Sequence, residues 1–137
     1  MALTHLVDTS VLTRIGRAAV REAIEPRVER GELARAGISD LEVGYSARSA
    51  EEWDQIAEAL EAFHLIETTA EHVRRARQVQ RGLAAKHQRG RKIPDLLVAA
   101  AAEVENLAVL HYDTDFDRIA ELTGQRSEWV LPAGSID

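Results

Sequence analysis

The chain has no cysteine, which removes a disulfide framework, a thiolate zinc site and a cysteine nucleophile together. Nor does any apolar run approach the roughly 20 residues that a membrane helix needs. The opening "MALTHLVDTSVL" lacks the basic start and long apolar core of a signal peptide, because Asp8 interrupts it. These absences lead us to expect a cytoplasmic protein with no membrane association. Internal repeats, low-complexity tracts and linkers are missing too, so the 137 residues read as one domain, 1–137. That length buries about two-thirds of the surface an unfolded chain exposes. The net charge of −6 argues against indiscriminate coating of nucleic acid. No H-E-x-x-H or comparable ligand spacing exists. His5, His64 and His111 fall in predicted strands and His72 and His87 in a predicted helix, so they are expected to be structural or surface residues.

What is present is ordinary in bulk and uneven in placement. A hydrophobic fraction of 45% and a charged fraction of 29% are those of a globular domain. From Val73 to Lys92 there is no acid, while Arg74, Arg75, Arg77, Arg81, Lys86, Arg89, Arg91 and Lys92 are all basic. From Asp95 onward the balance reverses, and Asp113, Asp115 and Asp117 occupy alternate positions. A basic stretch delivers the chain to an acidic cluster.

Periodicity predicts strands alternating with helices. A strand over 3–7 runs into a helix with Thr9 or Ser10 as N-cap. The next helix places Ala19, Ile24 and Val28 on one side and stops at Gly31. "LARAGI" is a second strand, and a capping box from Ser39 to Glu42 opens the following helix. Trp53, Ile56, Leu60 and Phe63 then recur at helical spacing. "FHLIET" is a third strand, followed by a long helix after Thr68 or Thr69. Pro94 suits the first turn of another helix. "LAVLHY", "DFDRIAELTG" and "SEWVL" read as strand, helix and strand.

Such alternation implies a parallel sheet covered on both faces. Ligands of these sheets bind where a strand hands over to a helix at its carboxyl end. Asp8 sits at one handover and Asp113 and Asp115 at another, while Glu42 and Asp95 open helices that should start near the same rim. Four separate pieces of chain bring acids together.

Each acid has a bland explanation when taken alone. A carboxylate in the first helical turn gains about 0.3–1 kcal/mol from the helix dipole, which accounts for Asp95 after Pro94 and for Glu42 in a capping box. The D-x-D-x-D run is no calcium loop, because Arg118 and Gly124 stand where glycine and glutamate belong. Asp117 is expected to face solvent and pair with neighbouring bases. The convergence of the others is what calls for a cation. Hard ions such as Mg2+ and Mn2+ prefer carboxylate and water ligands, and they can polarise a phosphate oxygen and activate water. For the basic stretch, a solvated helix face competes with contacts to the phosphates of a polyanion.

"LVDTSVL", "ISDLEVGYSAR", "KIPDLLVAAAAE" and "VLHYDTDFDRIA", in this order over nearly the whole chain, resemble the PIN-domain ribonucleases, specifically the VapC-type toxins of type II toxin–antitoxin pairs. The resemblance implies an α/β fold, a three-layer α/β/α sandwich with a central, mostly parallel sheet of about five strands. It implies a Mg2+- or Mn2+-dependent endoribonuclease with Asp8, Glu42, Asp95 and Asp113 as catalytic acids. Asp8, Asp95, Asp113 and Asp115 would be metal ligands, with Asp113 favoured over Asp115 as the closer one. Thr9 or Ser10 would orient Asp8 or a water. Arg74, Arg77, Arg81, Arg89 and Arg91 would guide RNA, with structured RNA, often transfer RNA, as substrate. A homodimer inhibited by a VapB-like antitoxin is implied as well. Two other classes compete. A phospho-acceptor signalling domain would want an acidic pair after the first strand and a late lysine, and the sequence has neither. A PIN-like module that only binds RNA or protein would be expected to have lost acids.

Overall fold

The computed structural model describes residues 2–88 and 90–137. Arg89, one of the expected RNA contacts, lies outside them. Five short strands form the centre: β1 (His5–Val7), β2 (Leu33–Ala36), β3 (His64–Ile66), β4 (Ala108–His111) and β5 (Ser127–Trp129). They lie in the order β3-β2-β1-β4-β5, and every pairing is parallel. The sheet is thus wholly parallel where a mostly parallel one was expected. Parallel neighbours need crossover connections, and helices supply them: α1 (Thr9–Leu12), α2 (Ala18–Glu29), α3 (Gly37–Gly44), α4 (Ala50–Leu60), α5 (Ala70–Ala85), α6 (Ile93–Val104) and α7 (Asp115–Thr123).

The two faces of the sheet carry separate cores, as strand alternation requires. Leu6, Ala34, Ala36 and Val109 face a cluster built from α5, α6 and α7, including Val79, Leu83, Val98, Phe116 and Ile119. Val7, Leu33 and Leu110 face the other way, onto Val11, Val20, Ile24 and Leu60. Helix α6 is alanine-rich, and Ala99 to Ala102 are all buried. Small side chains let it lie close against the sheet and α5. This is a three-layer α/β/α sandwich.

Several local features differ from what the sequence predicts. The first strand starts at His5 rather than Leu3. On α2 the buried side is carried by Val20 and Ile24, whereas Ala19 is exposed. The helix still ends as expected, with Gly31 at φ 68° just beyond it. Trp53 has the right spacing but is 47% exposed, and Leu60 and Phe63 do the packing. Thr69, not Thr68, caps α5, in a reciprocal box with the buried His72. His72 Nε2 also meets Glu105, and Arg75 bonds Glu103. These pairs join the start of α5 to the end of α6, so the two helices are antiparallel and α5 runs toward the end of α6 that carries Asp95.

Candidate metal centre

The strand order reverses direction between β1 and β4: from β1 the chain proceeds to β2 and β3, and from β4 to β5. At such a switch point the crossovers on either side diverge and leave a crevice at the carboxyl ends of the strands. Asp8 follows β1 directly, and Asp113 lies two residues past β4. The expected rim is therefore the crevice itself. A cavity of about 550 Å3 opens there, lined among others by Asp8, Thr9, Glu42, Lys92, Asp95 and Asp113.

Asp8 is the N-cap of α1, in place of the expected Thr9 or Ser10. Its Oδ2 accepts from the Ser10 amide at 2.9 Å, and its own amide donates to Leu110 O at 2.9 Å. This frees both hydroxyls for other work. Ser10 Oγ accepts from the Tyr112 amide at 2.9 Å, tying α1 to the end of β4. Thr9 Oγ1 donates to Glu42 Oε1 at 2.7 Å and lies 2.9 Å from Ser39 Oγ. Thr9 thus orients Glu42, while the Ser10 backbone orients Asp8.

The capping box from Ser39 to Glu42 does not form. Helix α3 begins earlier, at Gly37, with Ala36 as N-cap and no side-chain cap bond. Ser39 and Glu42 therefore lie within the helix, and capping no longer explains Glu42. Its position is set instead by Thr9, which comes from a different crossover.

Asp95 keeps its expected place in the first turn of α6, behind Pro94. The helix dipole does not explain its surroundings. It is only 6% exposed, and its Oδ2 has no hydrogen-bond partner among the described residues. Oxygens of Asp95, Asp113 and Asp115 all lie within 4.8 Å of one another. Burial, with the charges of Asp8 and Asp113, pushes the Asp95 carboxyl up to about 8. Burial likewise raises Asp8, with Glu42 adding to the effect and the Ser10 bonds opposing it. A fold that buries a carboxyl among carboxylates, and leaves one oxygen unbonded, disfavours its own ionised form. A divalent cation reverses that penalty, so these residues fit such an ion.

The structure separates the members of the expected set. Asp95, Asp113 and Asp115 form the compact trio, while Asp8 and Glu42 line the same cavity outside it. Asp113 and Asp115 also differ. Asp113 Oδ1 accepts from the Asp115 amide at 2.9 Å, and its Oδ2 lies 3.5 Å from Lys92 Nζ on the cavity wall. Asp115 is the first residue of α7, pairs with Arg91 and does not line the cavity. Nearby Asp113 and Asp95 raise Lys92.

Arg91 donates from Nη1 to Asp115, which ties this member of the basic stretch to the acidic turn. Asp117 is exposed as expected, but it accepts from Trp129 Nε1 at 3.3 Å rather than pairing with a base. Arg74, Arg77 and Arg81 line a separate groove on α5 with Gln78, Gln80 and Ala84.

Some cavity residues had drawn no attention in the sequence: Arg14, Tyr112, Trp129 and the segment 133–136. Tyr112 and Trp129 sit just after β4 and at the end of β5, carboxyl ends like those that carry the acids. That position was the available signal. Beneath them, the buried His111 accepts from the Asp113 amide through Nδ1 at 3.2 Å. His111 is structural, as expected, but it supports the acidic turn.

A wholly parallel α/β/α sandwich with carboxylates at its switch point is the class that fold and site define. A PIN domain model matches residues 5–122, and the chain belongs to the PIN-domain family, among its VapC-type members. It is 61% identical to Ribonuclease VapC51 of Mycobacterium tuberculosis, over the full length of both chains. Identity to Ribonuclease VapC21 of the same species is 43%, covering 98% of this chain and 99% of the relative. Among solved structures, DNA-bound VapBC from Salmonella typhimurium aligns with a TM-score of 0.79 at 18% identity, covering 94% of this chain and 99% of that one. VapBC-5 from Mycobacterium tuberculosis aligns with a TM-score of 0.62 at 25% identity, covering 93% and 96%.

Proposed function

We propose that this chain is the toxin of a VapBC-like pair, an endoribonuclease that hydrolyses RNA phosphodiesters with Mg2+ or Mn2+ held by Asp8, Asp95 and Asp113. The observation that carries this reading is the buried Asp95 carboxyl, unbonded at Oδ2 and within 4.8 Å of two further acids. Neither packing nor helix capping accounts for it. The names of the relatives, ribonucleases at 61% and 43% identity, support the reaction class.

When bound, the ion supplies Lewis-acid polarisation of a phosphoryl oxygen and makes water more acidic. The chain's own residues do the rest. Burial and the neighbouring carboxylates favour the protonated form of Asp95 in the free site, and a cation beside it would favour the ionised form. Glu42 is fixed by Thr9 through one oxygen, and the other, without a hydrogen-bond partner among the described residues, would take a proton from the attacking water. Lys92, raised and therefore charged, places a cation beside Asp113 where substrate phosphate must enter. Asp115, paired with Arg91 through one oxygen and within 4.8 Å of Asp95 and Asp113, is the further acid beside the ion.

Arg74, Arg77 and Arg81 lie along a helix that runs toward the acids, which suits a path for RNA backbone into the site. A VapB-like antitoxin is the expected partner, since the 25% identical structure is a member of the VapBC toxin–antitoxin family. A homodimer, action as one domain over 1–137, a cytoplasmic location and transfer RNA as substrate complete the reading. Among the described residues no helix is long and apolar enough to cross a membrane.

The test is cleavage of purified cellular RNA by the full chain. Activity in Mg2+ or Mn2+ that disappears in EDTA, and in Asp95→Asn, supports the reading. Undiminished cleavage in excess EDTA overturns it.

A further inference from the structure

The acids are only part of the cavity's lining. Arg14, Tyr112, Trp129, Gly134 and Ile136 complete it with a cation, two aromatic rings and backbone. We infer that Trp129 and Tyr112, with Arg14, form a nucleotide subsite, in which a base beside the cleaved phosphodiester packs on the indole and a phosphate meets the guanidinium. This rests on the ribonuclease reading of the acids.

Trp129 ends β5 and belongs to neither apolar core cluster. It is nevertheless held firmly. Its ring stands at 61° to His111, with centroids 4.9 Å apart, and at 86° to Tyr112, at 5.3 Å. Tyr112 is fixed in turn, its hydroxyl accepting from the Ile136 amide at 2.9 Å and donating to the Ile136 carbonyl. That pair of bonds holds 133–136 beside the cavity. The Arg14 guanidinium lies 5.1 Å from the centre of the Tyr112 ring and donates to the main-chain oxygens of Ser10, at 2.7 Å, and Asp137, at 2.8 Å. An aromatic ring and an arginine, both positioned before any ligand arrives, lose little freedom on binding. Single-stranded nucleic acid is recognised by this combination, with bases stacked on aromatic side chains and phosphates met by cations.

The chain has two tryptophans, so Trp53→Phe leaves Trp129 as the single tryptophan, excited selectively at wavelengths that tyrosine does not absorb. Trp53 lies on α4, away from the cavity lining. The probe is a four-nucleotide single-stranded RNA added in EDTA, where binding is read without cleavage. Saturable quenching of Trp129 is expected, and an abasic analogue of the same length should not produce it. In the otherwise unchanged chain, Trp129→Leu should weaken binding about 5- to 150-fold, with Trp129→Phe restoring most of it. Arg14→Gln should flatten the salt dependence by somewhat under one phosphate contact. Absent quenching, equal quenching by the abasic analogue, or unchanged affinity in Trp129→Leu overturns the subsite. Quenching by a basic peptide but not by RNA overturns it in favour of a protein partner. Cleavage in Mg2+ without quenching removes the subsite alone; quenching without cleavage removes the ribonuclease reading and leaves RNA binding.

Discussion

Replacing Asp95 with asparagine should stabilise the cation-free protein at neutral pH and remove its response to divalent ions. The carboxyl is pushed up to about 8 in the folded state, against about 3.9 in an unfolded chain. Below about pH 4 both states hold the proton, and Asp95 has no effect on stability. Between about 4 and 8 the unfolded chain ionises while the folded one keeps its proton. Stability therefore falls as pH rises, and the loss is complete above about 8. About four pH units at about 1.4 kcal/mol each set a ceiling on the order of 5 kcal/mol. The carboxyl borders an open cavity, and water there reduces the effect to on the order of 2–4 kcal/mol. Burial raises Asp8 as well, which adds to the slope with the same sign. Urea unfolding in EDTA, at steps from about pH 4.5 to 8.5, should show the wild type losing stability and Asp95→Asn losing distinctly less. Millimolar Mg2+ or Mn2+ should restore stability to the wild type by mass action, most strongly at the alkaline end where no proton has to leave. Each ion bound near neutral pH should release about one proton, measurable by calorimetry in buffers of different ionisation enthalpy. A wild-type stability that is flat with pH, or an asparagine variant that still responds to the ion, would refute the reasoning.

Other substitutions separate the remaining acids and bases. Asp8→Asn and Asp113→Asn should each lower RNA cleavage by more than the 10–100-fold typical of residues one step removed from a metal, whereas Asp115→Asn, whose partner is Arg91, should fall within that range; initial rates in Mg2+ check both. Thr9→Val should cost activity without loss of folding, because Glu42 loses the bond from Thr9 Oγ1, and Thr9→Ser should recover most of it. His111→Leu removes the acceptor for the Asp113 amide and should weaken ion binding, read as the thermal shift in Mn2+, while His111→Asn can offer an oxygen there and should retain more. Neutralising Arg74, Arg77 and Arg81 together should lower the slope of log affinity against log salt for RNA by somewhat under one unit per lost contact; an unchanged slope leaves them a solvated helix face.

Much of this protein was legible in its residues. Alternating strand and helix patterns, Pro94 before Asp95, and Gly31 after its helix are local features, with reasons inside a few residues of chain. So is the arrival of acids at strand ends, because in a parallel sheet all carboxyl ends share one edge. The bonds within that edge were not legible. Ser39 and Glu42 had the spacing of a capping box, but Gly37 and Ile38 were drawn into α3, and Glu42 found its partner in Thr9 from another crossover. Asp113 and Asp115 are equivalent as letters and differ in three dimensions, one facing the cavity and the other held by Arg91. The same contact ties Arg91, from the basic stretch, to the acidic turn. Trp129 and Tyr112 looked like parts of strands until β5 took its place beside β4 and set both rings against His111. Spacing along the chain determines periodicity, caps and the edge a residue reaches, because backbone geometry repeats over a few residues. Which of two acids faces the cavity, and which pairs with an arginine, depends on groups many residues apart, and only the packed crevice brings those into contact.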